Sequence, residues 1–338
     1  MGENLHIHPD ILLGSGIFGS GMPGSGKTTA FVRLLEEIAR FNVPLCTFDI
    51  EGDIASAISV FPRGFIGTAT NCPTAKDIIK GGLQVVFDLS TWPDMDMRAA
   101  FIARMVQALF THMDSLPINQ RCPVLVALDE AQMWLPQRRG DLFSRETYKA
   151  LNEAFHTLAT RGRKRGLVPM LFCQKISEVN KTVLSPGNFF LLRQSVTVDQ
   201  KRYLEIMDKS DAFAFMSEKA IMQYIGSLPN GKAIVKLTNG EQRVVQLYQR
   251  SSQHISHTPK VSSAMSRYSA LSFNPNMRFG ADMEEPVLPA KQKPAMLVST
   301  SKHLCSKCGA PATHEGVYAS LRHKYFCSEH ASGQCKPL

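Results

Sequence analysis

The amino-acid sequence of 338 residues predicts an α/β fold, in which helices cover both faces of a mostly parallel sheet, followed by a small C-terminal module. Segments patterned as strands and as helices alternate from residue 15 to residue 208, which is typical of a parallel sheet. A glycine-rich loop at 21–28 joins the first strand to the first long helix. A continuous apolar run at 124–128 is typical of a strand buried on both faces.

The loop at 21–28 reads Gly-Met-Pro-Gly-Ser-Gly-Lys-Thr and matches the pattern G-x-x-x-x-G-K-[ST] at every fixed position. Its glycines allow successive main-chain N–H groups to converge on one phosphate, and the helix predicted at 29–38 directs its N-terminal dipole at the same point. We expect Lys27 to reach the β- and γ-phosphates of ATP, and the Thr28 hydroxyl to bind Mg²⁺. The motif therefore predicts a P-loop NTPase. An overlapping G-x-G-x-x-G at 14–19 runs into this loop rather than into a helix of its own, so it does not indicate a dinucleotide site.

Strand and helix patterns recur along the first two-thirds of the chain. The predicted strands are 15–20, 45–49, 83–89, 124–128, 167–173 and 189–193. Further helices are predicted at 94–114, 145–162, 177–184 and 199–207. From 211 to 249 the pattern changes to short β segments, and Asn-Gly turns at 230–231 and 239–240 predict a hairpin that completes the sheet or protects its edge.

Acidic residues follow two of these strands. Asp129 and Glu130 come directly after the apolar strand, which, behind a P-loop, indicates a Walker B segment. Asp129 would hold Mg²⁺ directly or through water, and Glu130 would orient and polarise the attacking water. The alternative for this pair is two acids that stabilise a helix N-terminus. The segment 49–53, Asp-Ile-Glu-Gly-Asp, predicts either a ligand-facing strand end or an ordinary turn, and the sequence favours neither.

Two further polar features suit the same chemistry. The segment 161–166 reads Arg-Gly-Arg-Lys-Arg-Gly, and its cations exceed what the end of the preceding helix needs. An anionic ligand is favoured, either DNA phosphate or the γ-phosphate of ATP in a neighbouring subunit. Gln174 ends the strand 167–173, where it would sense the γ-phosphate or place the water, unless it is an ordinary strand-end glutamine.

The composition is that of a globular protein, with 44% hydrophobic and 20% charged residues. A formal charge of +9 favours an anionic partner such as nucleic acid. The most apolar helix-like run, 101–110, contains Arg104, so no membrane span is predicted, and the first residues lack a signal-peptide pattern. Single cysteines scattered before residue 304 suit thiols in a reducing compartment, so a cytoplasmic protein without membrane contact is expected.

The sequence resembles the HerA/FtsK superfamily of hexameric, DNA-translocating P-loop ATPases over about residues 10–249. The similarity lies in the P-loop, the strand end at 49–53, Ala-Leu-Asp-Glu-Ala-Gln-Met-Trp-Leu-Pro at 127–136, Gly-Arg-Lys-Arg-Gly at 162–166, Phe-Cys-Gln-Lys-Ile-Ser-Glu-Val at 172–179 and Leu-Pro-Asn-Gly-Lys-Ala at 228–233.

This resemblance implies a RecA-like sheet of the additional-strand type and a homo-oligomeric ring, a hexamer, that moves double-stranded DNA. It implies catalytic roles for Lys27, Glu130, Arg163 and Gln174, with Arg163 as an arginine finger acting on the neighbouring subunit and Arg161 as the second choice. Nucleotide and Mg²⁺ would be bound by Gly21, Gly24, Ser25, Gly26, Lys27, Thr28, Thr29 and Asp129. A P-loop that begins at residue 21 is similar to reduced motors that package viral DNA, so a cellular role beside a nuclease and a viral role at a capsid both stay open.

Residues 251–302 are polar, rich in proline, serine and methionine, and without periodicity. This predicts a flexible linker between an ATPase domain at 1–250 and a module at 303–338. In the module, two pairs of ligand-type residues with two-residue gaps predict a tetrahedral structural zinc site, and Zn²⁺ would supply the folding free energy that so short a segment lacks. The predicted ligands are Cys305, Cys308, Cys327 and His330, with Cys335 as an alternative to His330.

Two other functions are compatible with the P-loop. A small-molecule or nucleotide kinase shares the motif, but the sequence has no arginine-rich lid between its strands, and Glu130 is placed for water rather than for a phosphate acceptor. A regulatory ATP-binding protein, which docks through the zinc module and uses hydrolysis only as a switch, is the third hypothesis.

Overall fold

In a computed structural model of the chain, the described residues are 7–184, 187–207, 213 and 215–253, together with the backbone of three short strands beyond residue 313. The chain divides into two units, Met1–Thr258 and Pro259–Leu338. Among the described helices, none combines the length and the apolar character that crossing a membrane requires. The predicted linker lies almost entirely outside the described residues, so the domain boundaries stay predictions.

The first unit is built on a nine-stranded sheet. Its strands are β1 Gly16–Ser20, β2 Leu45–Asp49, β3 Gly64–Gly67, β4 Gln84–Asp88, β5 Val124–Leu128, β6 Leu167–Cys173, β7 Gly187–Leu191, β8 Lys232–Lys236 and β9 Gln242–Gln246. In space they follow the order β3-β4-β2-β5-β6-β1-β7-β8-β9. Strands β1 to β7 are parallel to one another, whereas β8 pairs antiparallel with β7 and forms an antiparallel hairpin with β9. The predicted mostly parallel α/β sheet and its edge hairpin are confirmed.

Helices cover both faces of this sheet. They are α1 Pro9–Leu13, α2 Lys27–Arg40, α3 Ala75–Gly81, α4 Met95–Ser115, α5 Ala131–Trp134, α6 Arg145–Arg161, α7 Thr197–Ile206 and α8 Glu218–Ser227. On one face, α1 and α2 bury side chains such as Leu12 and Phe31. On the other face, α4 and α6 bury side chains such as Ile102 and Leu151. The two cores are separate, with the sheet between them.

The central strand β5 shows how the apolar sequence serves both cores. Val124, Val126 and Leu128 join the core beneath α4 and α6, while Leu125 and Ala127 join the core beneath α2. All five residues are buried, as expected for a parallel strand covered on both faces. A strand held in this way fixes the position of the acidic residues that follow it.

Three expectations about local structure are wrong or incomplete. The helix predicted at 177–184 is only a short 3-10 turn, Ile176–Glu178. The chain there pairs with another segment instead, since Pro136 forms a β-bridge with Val179. The region after 211, expected to contain only β segments, includes α8, which is capped by the Ser217 side chain. Strand β3 and helix α3 were also not predicted from the sequence.

In the second unit the described backbone forms three short strands. They are β10 His314–Val317, β11 His323–Phe326 and β12 Lys336–Pro337, antiparallel in the order β11-β10-β12. The predicted zinc ligands, and Cys335, lie outside the described residues, so the zinc site stays a prediction.

Candidate active site

Most of the side chains predicted for the site lie at the carboxyl ends of the parallel strands. The loop 21–26 follows β1, Asp129 and Glu130 follow β5, and Gln174 follows β6. Because β6 lies between β1 and β5 in the sheet, these three strand ends are neighbours. This edge is where open parallel sheets bind ligands.

The glycine-rich loop has the backbone shape of an anion cradle. Gly24 and Gly26 have φ of 74° and 94°, left-handed values that glycine adopts without strain. Gly26 is the residue before α2, whose first turn, including Thr29, leaves main-chain N–H groups without partners inside the helix. Ser25 is buried, and its hydroxyl oxygen has no hydrogen-bond partner among the described residues.

Neighbouring strands hold the loop in place. The Gly21 N–H donates to the carbonyl of Cys173, the last residue of β6, at 3.2 Å, and the Met22 N–H donates to the carbonyl of Arg193, after β7, at 3.0 Å. The Arg193 side chain returns to the loop, because its Nη2 donates to the carbonyl of Gly24 at 3.3 Å. The loop is therefore fixed against the sheet by residues from two strands.

Lys27 binds both acids that follow β5. Its Nζ pairs with a carboxylate oxygen of Asp129 and lies 2.9 Å from Oε1 of Glu130. The exposed fractions of the three side chains are 6% for Lys27, 13% for Asp129 and 16% for Glu130. In such shielded surroundings, burial and the charges of the partners both act strongly on the ionisation of each group.

Burial and charge oppose each other in this trio. At Lys27, burial lowers the pKa of the ammonium, but the two carboxylates outweigh it, and the pKa lies above its ordinary value. At Asp129, burial prevails over the attraction of Lys27 and raises the pKa of the carboxyl. At Glu130, burial is outweighed by Lys27 and by amide donors from Gln132 and Gln174, so the pKa is lowered. Glu130 is therefore the carboxyl that is held ionised.

Glu130 has an unusual backbone conformation. Its φ of 53° and ψ of 41° lie in the left-handed region, which costs a residue with a side chain roughly 1–2 kcal/mol. Its Oε2 accepts from Nε2 of Gln132 at 2.6 Å, and its Oε1 accepts from Nε2 of Gln174 at 2.8 Å. The Oε1 of Gln132 in turn accepts from the Gln174 N–H at 3.1 Å. Strained residues persist where their surroundings fix them, and they cluster at functional sites.

A small cavity beside the trio offers oxygen ligands for Mg²⁺. Its volume is ≈ 60 Å³, and its lining includes Thr28, Asp53, Asp129 and Glu130. Mg²⁺ is usually bound by one or two carboxylates together with phosphate and water oxygens. Thr28 and Asp129 fit that pattern. In the part of the chain that the structure describes, no group of three or more His, Cys, Asp or Glu side chains could hold a metal by itself.

Asp49 supports the turn alternative for segment 49–53. Its carboxylate accepts from the N–H groups of Gly52 at 2.8 Å, Ile54 at 2.9 Å and Ala55 at 2.8 Å. Burial raises the pKa of Asp49 to about 6, although these N–H groups act to lower it. Asp49 therefore shapes the wall of the cavity rather than offering a free ligand.

The structure does not bring Arg163 to the other predicted site residues. Arg163 begins a 3-10 turn that precedes β6, whereas Gln174 follows β6. Arg161 and Arg163 are exposed, and Arg165 pairs with Asp114 at 2.6 Å. Arg163 thus lies at the amino edge of the sheet, opposite Glu130 of its own chain.

Three polar residues of the site received no role from the sequence. Arg193 supports the loop, Gln132 holds Glu130, and Gln194 donates from Nε2 to the carbonyl of Gln174 at 2.9 Å. Gln194 had a usable signal, because it comes soon after an apolar strand, as Gln174 does. Gln132 lies in the segment 127–136 that carries the family resemblance, but its contact with Glu130 depends on the left-handed turn at Glu130.

No protein family and no curated protein matches this sequence. Among solved structures, the chain is similar to the genome packaging NTPase B204 from Sulfolobus turreted icosahedral virus 2 in complex with AMPPCP, with 14% identity and a TM-score of 0.47, covering 70% of this chain and 99% of that one. It is also similar to the pCW3 conjugation coupling protein TcpA, with 15% identity and a TM-score of 0.40, covering 71% and 62%. For EssC (ATPases 2 and 3) from Geobacillus thermodenitrificans the identity is 13% and the TM-score 0.36, covering 75% and 43%. Likenesses of this strength leave the activity to be derived from the residues of the site.

Proposed function

We propose that this protein is an ATPase that works as a ring-shaped DNA translocase. The observation that carries the proposal is the contact of Glu130 with both Lys27 and Gln174 at the carboxyl edge of the sheet. A P-loop lysine, an ionised acid and a strand-end amide within hydrogen-bond distance are the parts needed to place a water opposite a γ-phosphate. The position of β6 between β1 and β5 supports a RecA-like fold of the additional-strand type.

The side chains divide the hydrolysis of ATP among them. Lys27 and the N–H groups of the loop bind the β- and γ-phosphates. Glu130 accepts a hydrogen bond from the attacking water and draws its proton as the oxygen bonds to the γ-phosphorus; the bond to the ADP oxygen breaks, and ADP and phosphate leave. Mg²⁺, held by Thr28 and Asp129 when bound, neutralises charge on the phosphate oxygens. Gln174 keeps the Glu130 carboxylate aimed at the water.

A neighbouring subunit completes this site in the proposal. Arg163 lies at the sheet edge opposite Glu130 of its own chain, so a phosphate-binding role for it requires a second copy. An arginine supplied by a neighbour stabilises charge in the transition state of phosphoryl transfer. We therefore propose a homo-oligomeric ring, a hexamer, with Arg163 as the arginine finger and Arg161 as the second choice.

Double-stranded DNA is the proposed cargo. The formal charge of +9 and the exposed side chains of Arg161, Arg163 and Lys164 support an anionic partner. Cellular DNA processing and viral genome packaging are both compatible with such a motor. The module at 303–338 is proposed to bind Zn²⁺ through Cys305, Cys308, Cys327 and His330, which metal analysis of the purified protein would test.

The deciding experiment measures the rate of ATP hydrolysis with and without double-stranded DNA, alongside the assembly state by mass photometry. Turnover that DNA stimulates, in a ring, is the expected result. A monomer whose rate is indifferent to DNA would contradict the translocase. Phosphate transfer to a nucleoside monophosphate in a coupled assay would point to a kinase instead.

A further inference from the structure

Gln194 is a buried glutamine next to the site, and its side chain forms hydrogen bonds at both its amide nitrogen and its amide oxygen. Gln194 is 1% exposed. Its Nε2 donates to the carbonyl of Gln174 at 2.9 Å, and its Oε1 accepts from the N–H groups of Ser195 at 3.0 Å and Val196 at 3.2 Å. Buried amides of this kind are stabilising only when their polar atoms are satisfied. Both ends of the Gln194 side chain meet that condition.

Two glutamine side chains form hydrogen bonds with the main chain of Gln174. Its N–H donates to Oε1 of Gln132, and its carbonyl accepts from Nε2 of Gln194. These two bonds fix the backbone position from which the Gln174 side chain extends, and from that position its Nε2 reaches Oε1 of Glu130 at 2.8 Å. The position of the catalytic carboxylate therefore depends on Gln194 through Gln174.

Gln194 is itself anchored to the helices beyond β7. Its carbonyl accepts from Nε2 of Gln200 in α7 at 2.7 Å, and the same Nε2 donates to the carbonyl of Met222 in α8 at 3.1 Å. Gln200 is also buried, at 7% exposed. A continuous set of satisfied hydrogen bonds thus runs from α8 to Glu130.

We propose that Gln194 is a positioning residue for ATP hydrolysis, which acts by holding Gln174 against Glu130. The inference rests on the proposed function. It assigns Gln194 no contact with the nucleotide, so its loss lowers the rate of the hydrolysis step and leaves the affinity for ATP unchanged.

The first test replaces Gln194 with methionine, which has a similar volume and cannot donate to the Gln174 carbonyl. We expect kcat to fall about tenfold, as for other residues that orient a catalytic group, with KM for ATP unchanged. Gln84→Met is the matched control. Gln84 is buried and donates from Nε2 to the carbonyls of Ala39 at 2.7 Å and Val43 at 3.3 Å, but it begins β4, at the edge of the sheet opposite the site. The control should lose stability and keep kcat per folded molecule.

A double variant tests the route of the effect. If Gln194 acts through Gln174, the pair Gln174→Ala and Gln194→Met should hydrolyse ATP at the rate of Gln174→Ala alone, since coupled residues are not additive. Additive losses would overturn the inference.

A second substitution serves if Gln194→Met does not fold. In Gln194→Glu, the protonated carboxyl still donates to Gln174, whereas the carboxylate repels its carbonyl. The ratio of its kcat to that of the wild type should therefore fall as the pH rises, and a ratio independent of pH would contradict the inference.

Absence of hydrolysis in the wild-type chain would overturn the proposed function and this inference with it. If the wild type hydrolyses ATP and Gln194→Met has the same kcat, the inference about Gln194 is overturned and the proposed function stands.

Discussion

Replacement of Glu130 by glutamine separates ATP binding from ATP hydrolysis in this site. The amide cannot take a proton from the attacking water, and loss of a general base typically costs roughly 10²–10⁴ in rate, or about 3–5 kcal/mol of barrier. Glutamine also turns one accepting oxygen into a donor, which then faces the amide of Gln132 or Gln174. The expected kcat is therefore at least about a hundredfold below the wild type.

The same substitution should strengthen ATP binding. Lys27 lies 2.9 Å from Oε1 of Glu130, and a phosphate that recruits Lys27 must displace this contact. A hydrogen bond between charged groups contributes about 1.5–3 kcal/mol, roughly twice a bond to a neutral group. Making the acceptor neutral therefore lowers the cost of displacement by about 1 kcal/mol, or about a fivefold lower Kd for ATP.

Two measurements check this pair of effects. Phosphate release gives kcat, and calorimetric titration of ATP gives Kd without turnover in the variant. Glu178→Gln is the matched control, since Glu178 pairs with Lys175 at 2.8 Å on the exposed surface and should leave both values unchanged. Turnover near the wild-type rate in Glu130→Gln would refute its role as base, and weaker ATP binding would refute the displacement of Lys27.

Three further outcomes are expected. Arg163→Ala should abolish ATP hydrolysis and leave ATP binding intact, and lost binding, measured by titration, would contradict a role in the neighbouring subunit. Gly19→Ala should lower the free energy of unfolding by about 1–3 kcal/mol in urea, because its Cβ would lie 2.2 Å from the ring of Phe172; an unchanged midpoint would contradict that packing. The pKa of Asp49 is about 6 in the folded chain against 3.8 ordinarily. Its carboxyl thus stabilises the fold less as the pH rises through that range. Relative to Asp49→Asn, the wild type should lose about 2 kcal/mol between these two pH values, and a flat difference in urea midpoints would contradict the burial of Asp49.

The parts of the fold that the sequence predicts are those with strong local signals. The P-loop motif and the apolar runs of β5 and β6 specify buried parallel strands, because both faces of those strands need apolar side chains. The edge strand β3 has a weaker pattern, since it has four residues, two of them glycine, and is partly exposed. The helix α8 had a cap at Ser217 and apolar residues one turn apart at Ile221 and Ile225, but neighbouring hairpin signals concealed it.

The contacts of the site depend on the order of the strands in the sheet, and that order cannot be read from the sequence. Glu130 meets Gln174 because β6 lies beside β5, and Lys27 meets Glu130 because β1 lies on the other side of β6. A resemblance to a family of known fold implies a strand order, whereas the patterns of apolar and polar residues alone do not. Gln194 follows an apolar strand, as Gln174 does, but its role depends on its burial, and that burial follows from the helices packed over it.

The ion pairs of Lys27 suggest how the proposed site avoids acting without nucleotide. While Lys27 contacts Glu130, its ammonium is the strongest influence that lowers the pKa of that carboxyl, so Glu130 is a weak base. In the proposed mechanism, Lys27 would bind the phosphates of ATP, and its ammonium would then lower the pKa of Glu130 less than it does in this structure. The pKa of Glu130 would rise while Gln132 and Gln174 still hold its oxygens in place. The carboxylate would thus become a better base when a phosphate is present to be attacked, which would couple activation of the water to occupancy of the site.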